Sequence, residues 1–261
     1  YTLVPDKPNG AAVLYCHYHG GKYDLGKDEL FLEPLFGEWI DKTPRGPALA
    51  QAGYLVLAID AYSFGERQHQ GPAGERESGR ETENALFKRF LWEGRNLWAM
   101  MVYDDLLALN YLLTRTDIDP TRIAITGASM GGSRATWLAA IDERIKVIAP
   151  VVQYTRYQNF VASGEVNHHS FYYYVPNVLK AGLDMEAIVA LSAPRPQIVL
   201  VGDSDVLSPA DGMQIITDFT REVYALYGAD AHFEPHIYEE LAHVYTVEMF
   251  NTMLNFFNRY L

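Results

Sequence analysis

The segment Gly127-Ala128-Ser129-Met130-Gly131 holds the residues of this chain most suited to do chemistry. It follows an apolar run, Arg122-Ile123-Ala124-Ile125-Thr126, and opens a helix-like stretch over residues 132–141. A strand, a sharp turn with serine at its apex and a helix make up a nucleophile elbow, which lifts a hydroxyl above the sheet edge with a helix N-terminus behind it. Small residues at Gly127, Gly131 and Gly132 suit a strained turn that needs positive φ and a helix that passes close to a strand. A serine hydroxyl is a weak nucleophile at neutral pH. The chain must therefore also supply a base, and a carboxylate to orient it.

Around an elbow the acid comes next in the chain and the histidine last. The run Pro196-Gln197-Ile198-Val199-Leu200-Val201 reads as a buried parallel strand, and Gly202-Asp203-Ser204-Asp205 leaves its C-terminal end, where open α/β sheets place their chemistry. Asp203 sits against the strand end, where a turn or cap role fits, whereas Asp205 lies far enough into the loop to reach over the sheet edge; loop geometry favours Asp205. For the base, residues 233–238 alternate as a last strand and His243 lies just past them. Ser129, Asp205 and His243 thus arrive in elbow order, each after a separate predicted strand. The other histidines fit structural places: His69 in a charged loop, His168 and His169 in a connection, His232 and His236 before and within the last strand.

Acyl transfer also needs donors for an oxyanion. The elbow offers the backbone N–H of Met130. The second donor is expected from the loop after the strand at residues 11–16, His17-Tyr18-His19-Gly20-Gly21, whose glycines let backbone approach a ligand. We assign it to the His19 N–H, with Tyr18 as the alternative. A zinc reading of His17 and His19 lacks a third and fourth ligand at metal-site spacing, and the chain has one Cys; no metal is expected.

The elements that must position these groups alternate. Strand-like runs at residues 11–16, 54–59, 122–126, 145–152, 197–201 and 233–238 are separated by helical patterns such as 97–114, 213–227 and a closing 246–260. That alternation predicts a mostly parallel, doubly wound sheet with helices on both faces. The polar stretch 68–83, with Gly71, Pro72, Gly74 and Gly79, reads as a mobile, solvated loop. The connection 153–192 reads as a short lid within a single domain spanning 1–261. Its aromatic residues, Tyr154 and Tyr157 among them, together with Tyr18 and Val206, are candidates for the substrate pocket. Tyr172, Tyr173 and Tyr174 cannot all face it.

These residues resemble those of the α/β-hydrolase superfamily, and within it the chain is similar to the dienelactone hydrolase-like and acetyl xylan esterase-like branch. The likeness covers nearly the whole chain. It rests on the 17–21 loop, Asp60-Ala61-Tyr62-Ser63-Phe64-Gly65-Glu66-Arg67, Ile118-Asp119-Pro120-Thr121-Arg122-Ile123, Gly127 to Gly132, Leu138-Ala139-Ala140-Ile141-Asp142-Glu143-Arg144-Ile145, Ala193-Pro194-Arg195-Pro196, Gly202 to Asp205 and His243. The resemblance implies an α/β-hydrolase fold, cofactor-free hydrolysis of esters, and Ser129, Asp205 and His243 as a triad. Two departures matter. Dienelactone hydrolases proper use a Cys nucleophile where this chain has Ser129, and Tyr18 stands where many relatives have Gly. Such relatives also begin with additional antiparallel strands, an edge expected to be reduced or missing here.

Composition agrees with a compact enzyme acting on a small ester. The chain has 261 residues, 49% of them hydrophobic, enough to bury a large single core. A net charge of −12 argues against nucleic acid or anionic lipid as a partner. No run of 18 apolar residues and no charged-then-apolar leader pattern is present. One cysteine within an apolar strand fits a reducing cytoplasm. The reading is a serine carboxylic ester hydrolase for small to medium acyl groups. Its alternatives are a peptidase or amidase, a sugar-acetate esterase of acetyl xylan type, and a hydrolase-like binding protein.

Overall fold

The strands of this chain are runs of aliphatic residues whose alternate side chains enter two different cores. In the computed structural model, which describes residues 1–32 and 44–261, these runs are β1 (Thr2–Leu3), β2 (Ala12–Cys16), β3 (Leu55–Ala58), β4 (Ile123–Ala128), β5 (Val147–Val151), β6 (Gln197–Gly202) and β7 (Phe233–Tyr238). They form one sheet in the order β1-β3-β2-β4-β5-β6-β7. Every pairing is parallel except β1 with β3, a two-residue antiparallel edge. An antiparallel edge is therefore present in the described residues, as the two residues of β1.

Both faces of the sheet are covered. Leu14, Ile125 and Val199 face one core, which α3 (Leu97–Leu112), α4 (Met130–Ile141), α5 (Tyr157–Ser163), α6 (Met185–Ala190) and α7 (Ala210–Leu226) complete. Val13, Ala124 and Ile198 pack on the other, under α1 (Arg45–Gln51) and α8 (Val247–Tyr260). A strand buried on both faces has no polar side to show, which is why these runs are continuously apolar. The last helix shows how its ends and its buried face are set. Thr246 caps α8 by accepting from the Met249 N–H at 3.2 Å, and Met249, Phe250, Met253, Phe256 and Phe257 form a helix-spaced apolar stripe on the core. This seven-stranded, mostly parallel sheet between helices is the α/β-hydrolase fold.

One expectation needs correction. The polar stretch 68–83 is not loop throughout, because α2 (Arg80–Trp92) begins inside it with Glu81 and Glu83 in its first turn, where acids oppose the positive end of the helix dipole. The Gln68 carbonyl accepts from both the Thr82 hydroxyl at 2.6 Å and the Gly79 N–H at 3.2 Å. Glu83 is fully buried. Among the described residues, no helix is long and apolar enough to cross a membrane.

Candidate active site

Ser129 stands between β4 and α4 with φ 54° and ψ −118°. A left-handed backbone at a residue with a side chain is strained and persists only where its surroundings impose it. Here the Ser129 N–H donates to the Val151 carbonyl at 2.9 Å, while its own carbonyl accepts from the Ser133 N–H at 3.0 Å. Of the two purposes expected of the neighbouring glycines, the close approach of helix to strand is the one they serve. Gly127 and Gly131 are not among the positive-φ residues; instead a Cβ on either would lie about 2 Å from the Cys16 carbonyl oxygen, at 2.2 and 1.9 Å. They let α4 press against the end of β2, and the strain falls on Ser129 alone.

Asp205 and His243 are brought together by the ends of β6 and β7. Ser204 donates its N–H to the Leu241 carbonyl at 3.0 Å, and a Cβ on Gly202 would lie 2.0 Å from that same oxygen. The two loops can run this close because residue 202 has no side chain. Across this contact His243 Nδ1 lies 2.6 Å from Asp205 Oδ2. Asp205 is 2% exposed, and its Oδ1 accepts from the Leu207 N–H at 2.9 Å. Asp203 faces elsewhere, with the Ser204 hydroxyl on its Oδ1 and its N–H on the Tyr238 carbonyl.

Ser129 and His243 line one cavity of about 430 Å³, with His19, Gly20, Gly21, Tyr23, Arg80, Asn167, His168, His169, Ser170, Tyr172 and Leu207. The Met130 and His19 N–H groups have no hydrogen-bond partner among the described residues, as a pair of oxyanion donors requires. Tyr18 cannot take that part: its N–H donates to Glu29 Oε2 at 2.7 Å. The His19 imidazole holds its own loop, accepting the Gly21 N–H on Nδ1 at 3.0 Å and donating from Nε2 to Glu83 Oε2 at 3.1 Å. Glu83 also accepts from the Tyr23 hydroxyl at 2.6 Å and the Tyr172 N–H at 3.1 Å. These bonds, His19 first, keep its carboxyl below the ordinary glutamate range despite burial.

Tyr18, Tyr154, Tyr157 and Val206 do not line this cavity. Tyr18 is 3% exposed and packs in the core on the α8 side of the sheet. Tyr154 is buried with its hydroxyl 3.2 Å from that of Thr217 on α7. Tyr157 lines a separate apolar cavity of about 240 Å³ with Phe160, Tyr173 and Tyr174. Val206 is turned outward, and Leu207 occupies the wall instead. Of the three consecutive tyrosines only Tyr172 reaches the Ser129 cavity, which matches the expectation that they diverge. Sequence reading missed Tyr23, Arg80, His168 and His169, because nothing in a polar stretch or a connection distinguishes a wall residue from a solvated one.

The zinc reading of the early loop does not survive the geometry. His17 Nε2 accepts from the Ala61 N–H at 3.0 Å, so its Nδ1 donates to the Tyr18 carbonyl at 2.8 Å and neither nitrogen is available. Among the described residues, no group of three or more histidines, cysteines and acids could hold a metal ion. Burial holds His17 at about 3, with Arg134 adding to it, and burial holds His169 at about 3, with His243 adding to it. Both imidazoles are thus uncharged in the folded protein below the ordinary histidine value of ~6.5. Between ~6.5 and about 3 the unfolded chain binds protons that the native state refuses, so stability falls as the pH drops through that window. We expect calorimetry between neutral and mildly acidic pH to give a stability slope of up to ~1.4 kcal/mol per pH unit from each imidazole. The slope should shrink in His169→Gln; an unchanged slope would show that His169 is not held neutral.

The fold and this site define a hydrolase of the α/β-hydrolase type. Residues 87–261 match the prolyl oligopeptidase family. Over 232 residues the chain is 40% identical to the Bacillus subtilis (strain 168) protein named "Putative hydrolase YtaP", covering 88% of this chain and 72% of that one. The chain belongs to the prolyl oligopeptidase family. Solved structures at low identity share the fold. Methylesterase BT1017 superposes with a TM-score of 0.69 at 21% identity, over 99% of this chain and 50% of that one. A structure described as a putative acetyl xylan esterase (BF1801) from Bacteroides fragilis NCTC 9343 gives 0.67 at 21%, over 91% and 62%. A glucuronoyl esterase from Solibacter usitatus gives 0.68 at 17%, over 98% and 76%. This chain therefore spans half the length of the first of these structures and less than two thirds of the second.

Proposed function

We propose that this protein is a serine carboxylic ester hydrolase working through an acyl-enzyme on Ser129. The observation that carries the reading is a strained Ser129 sharing a cavity with His243, whose Nδ1 is 2.6 Å from the buried Asp205 carboxylate. With the Nδ1 proton directed at Asp205, Nε2 presents a lone pair. It takes the Ser129 hydroxyl proton as Oγ attacks the ester carbonyl, and the Met130 and His19 amides receive the negative charge that forms on the carbonyl oxygen. Collapse of the tetrahedral species breaks the bond to the alcohol, which leaves with the proton from Nε2. Water, deprotonated by the same nitrogen, then attacks the acyl-enzyme and releases the acid.

A cavity of about 430 Å³ suits small to medium esters. The connection 153–192 acts as a short lid within a single α/β-hydrolase domain. Its anchorage supports this reading: buried Asp184 accepts the N–H groups of Tyr157, Gln158 and Met185 at 2.7, 3.0 and 2.7 Å, and Arg156 grips Glu186 with two bonds of 3.0 Å. Each added methylene gains about 0.8 kcal/mol only while it is buried. In a series of p-nitrophenyl esters, kcat/KM should therefore peak from acetyl to butyryl and decline by octanoyl. A steady rise through dodecanoyl would mean a deep acyl tunnel and would end the small-ester reading.

The family's description favours a second reading, an amidase or peptidase on the same three residues. The structures named as esterases are what place sugar acetates in the test alongside simple esters. A panel of p-nitrophenyl esters, sugar acetates and aminoacyl anilides separates the readings. Ester turnover exceeding anilide turnover is expected, and efficient anilide cleavage with inert esters would overturn the proposal.

A further inference from the structure

The cavity that holds Ser129 differs in charge from the rest of the molecule. The chain carries a net charge of −12, yet no carboxylate stands among the described residues lining this cavity, whose titratable walls are Arg80, Tyr23, Tyr172 and the imidazoles of His19, His168, His169 and His243. Three acids near it are committed elsewhere. Asp205 lies behind His243, and Glu83 is buried beneath His19, Tyr23 and Tyr172 with three donors on it. Glu165 pairs with His168 at 2.7 Å outside the wall. Glu83 sits one helical turn from Arg80 but does not neutralise it, because its oxygens face inward. Arg80 itself is exposed and forms no hydrogen bond or ion pair with another described residue.

An acidic protein that turns its carboxylates away from one cavity, and leaves an unpaired guanidinium at its wall, is arranged to receive negative charge. We propose that the substrate is an ester that also carries a free carboxylate, received by Arg80; this rests on the esterase reading above. The planar fork of a guanidinium matches both oxygens of a carboxylate, a geometry that a lone ammonium cannot supply. Among the described residues that line the cavity, Arg80 is the one permanent cation and no carboxylate competes with a ligand for it. Arg80 is a specificity-determining residue here and takes no part in bond breaking.

The test compares monoethyl glutarate with ethyl valerate, which differ by a carboxylate in place of a methyl group. In the wild-type protein kcat/KM should favour the anionic ester by about tenfold, the ratio expected of one exposed charge-assisted contact, and added salt should shrink that ratio. In Arg80→Gln the ratio should fall to about one, with Arg80→Lys between. Calorimetric titration of Ser129→Ala with both compounds reads the same preference without turnover, and the double variant with Arg80→Gln should lose it. If the wild-type ratio is one or less, or survives in Arg80→Gln, the proposal is overturned. Binding that favours monoethyl glutarate while neither ester is hydrolysed would uphold the carboxylate site and overturn the esterase reading alone.

Discussion

Replacing Ser129 with alanine is expected to lower kcat for p-nitrophenyl butyrate by on the order of 10⁴-fold or more, with the fold retained. The magnitude follows from the role. Without the hydroxyl there is no acyl-enzyme, and His243 and Asp205 have nothing to activate, so members of such a set are lost together rather than additively. Residual turnover would come from the oxyanion donors and binding alone. Stability should move in a separate way. At φ 54° a Cβ costs about 1 kcal/mol or more, so Ser129→Gly should unfold at higher denaturant than Ser129→Ala. Both variants should be inactive. Retained activity in either would remove Ser129 from the chemistry.

Asp205→Asn should lower kcat by roughly 10³- to 10⁴-fold, and the structure supplies the reason. The Leu207 N–H donates to one oxygen of Asp205 at 2.9 Å and His243 Nδ1 lies 2.6 Å from the other. An asparagine must keep its carbonyl toward Leu207, which turns its NH₂ toward Nδ1. That forces Nδ1 to accept and leaves the proton on Nε2, the wrong tautomer for a base. Asp203→Asn should change kcat by no more than a few-fold, since among the described residues that carboxylate accepts a hydrogen bond only from the neighbouring Ser204 hydroxyl. Steady-state kinetics on the two variants decides between the acids, and a worse lesion at Asp203 would reverse the assignment.

How much of this was legible in the sequence depended on whether a residue's task is local. The strands could be read because burial on both faces leaves an unbroken apolar run, as in β4 and β6. The elbow could be read because strand, serine and helix adjoin. Asp205 and His243 could be read as candidates because each follows a strand end in a fixed order, and the hydrogen bond between them agrees with that reading. The walls of the cavity could not. Arg80 and Glu83 lie in a stretch whose glycines, proline and charges look like solvent-facing loop. Their environment is set by the loop carrying His19 and by Tyr172, far away in the chain. The acids Glu81 and Glu83 after Gly79 were the available sign of a helix start. Tyr18 and Tyr154 illustrate the converse. Both are aromatic, close in sequence to the site, and spent on the core.

The central claim is that Ser129 is the nucleophile, and a fluorophosphonate probe tests it most directly. Such a reagent forms a covalent phosphonyl ester with an activated serine hydroxyl and little else, because only an activated oxygen expels its fluoride readily. Intact mass should rise by one adduct per chain, and peptide mapping should place it on the segment carrying Ser129. The label should vanish in Ser129→Ala and slow severely in Asp205→Asn. A single adduct at Ser129 is the predicted result; an adduct at any other residue, or an unmodified protein that still hydrolyses esters, would contradict the account.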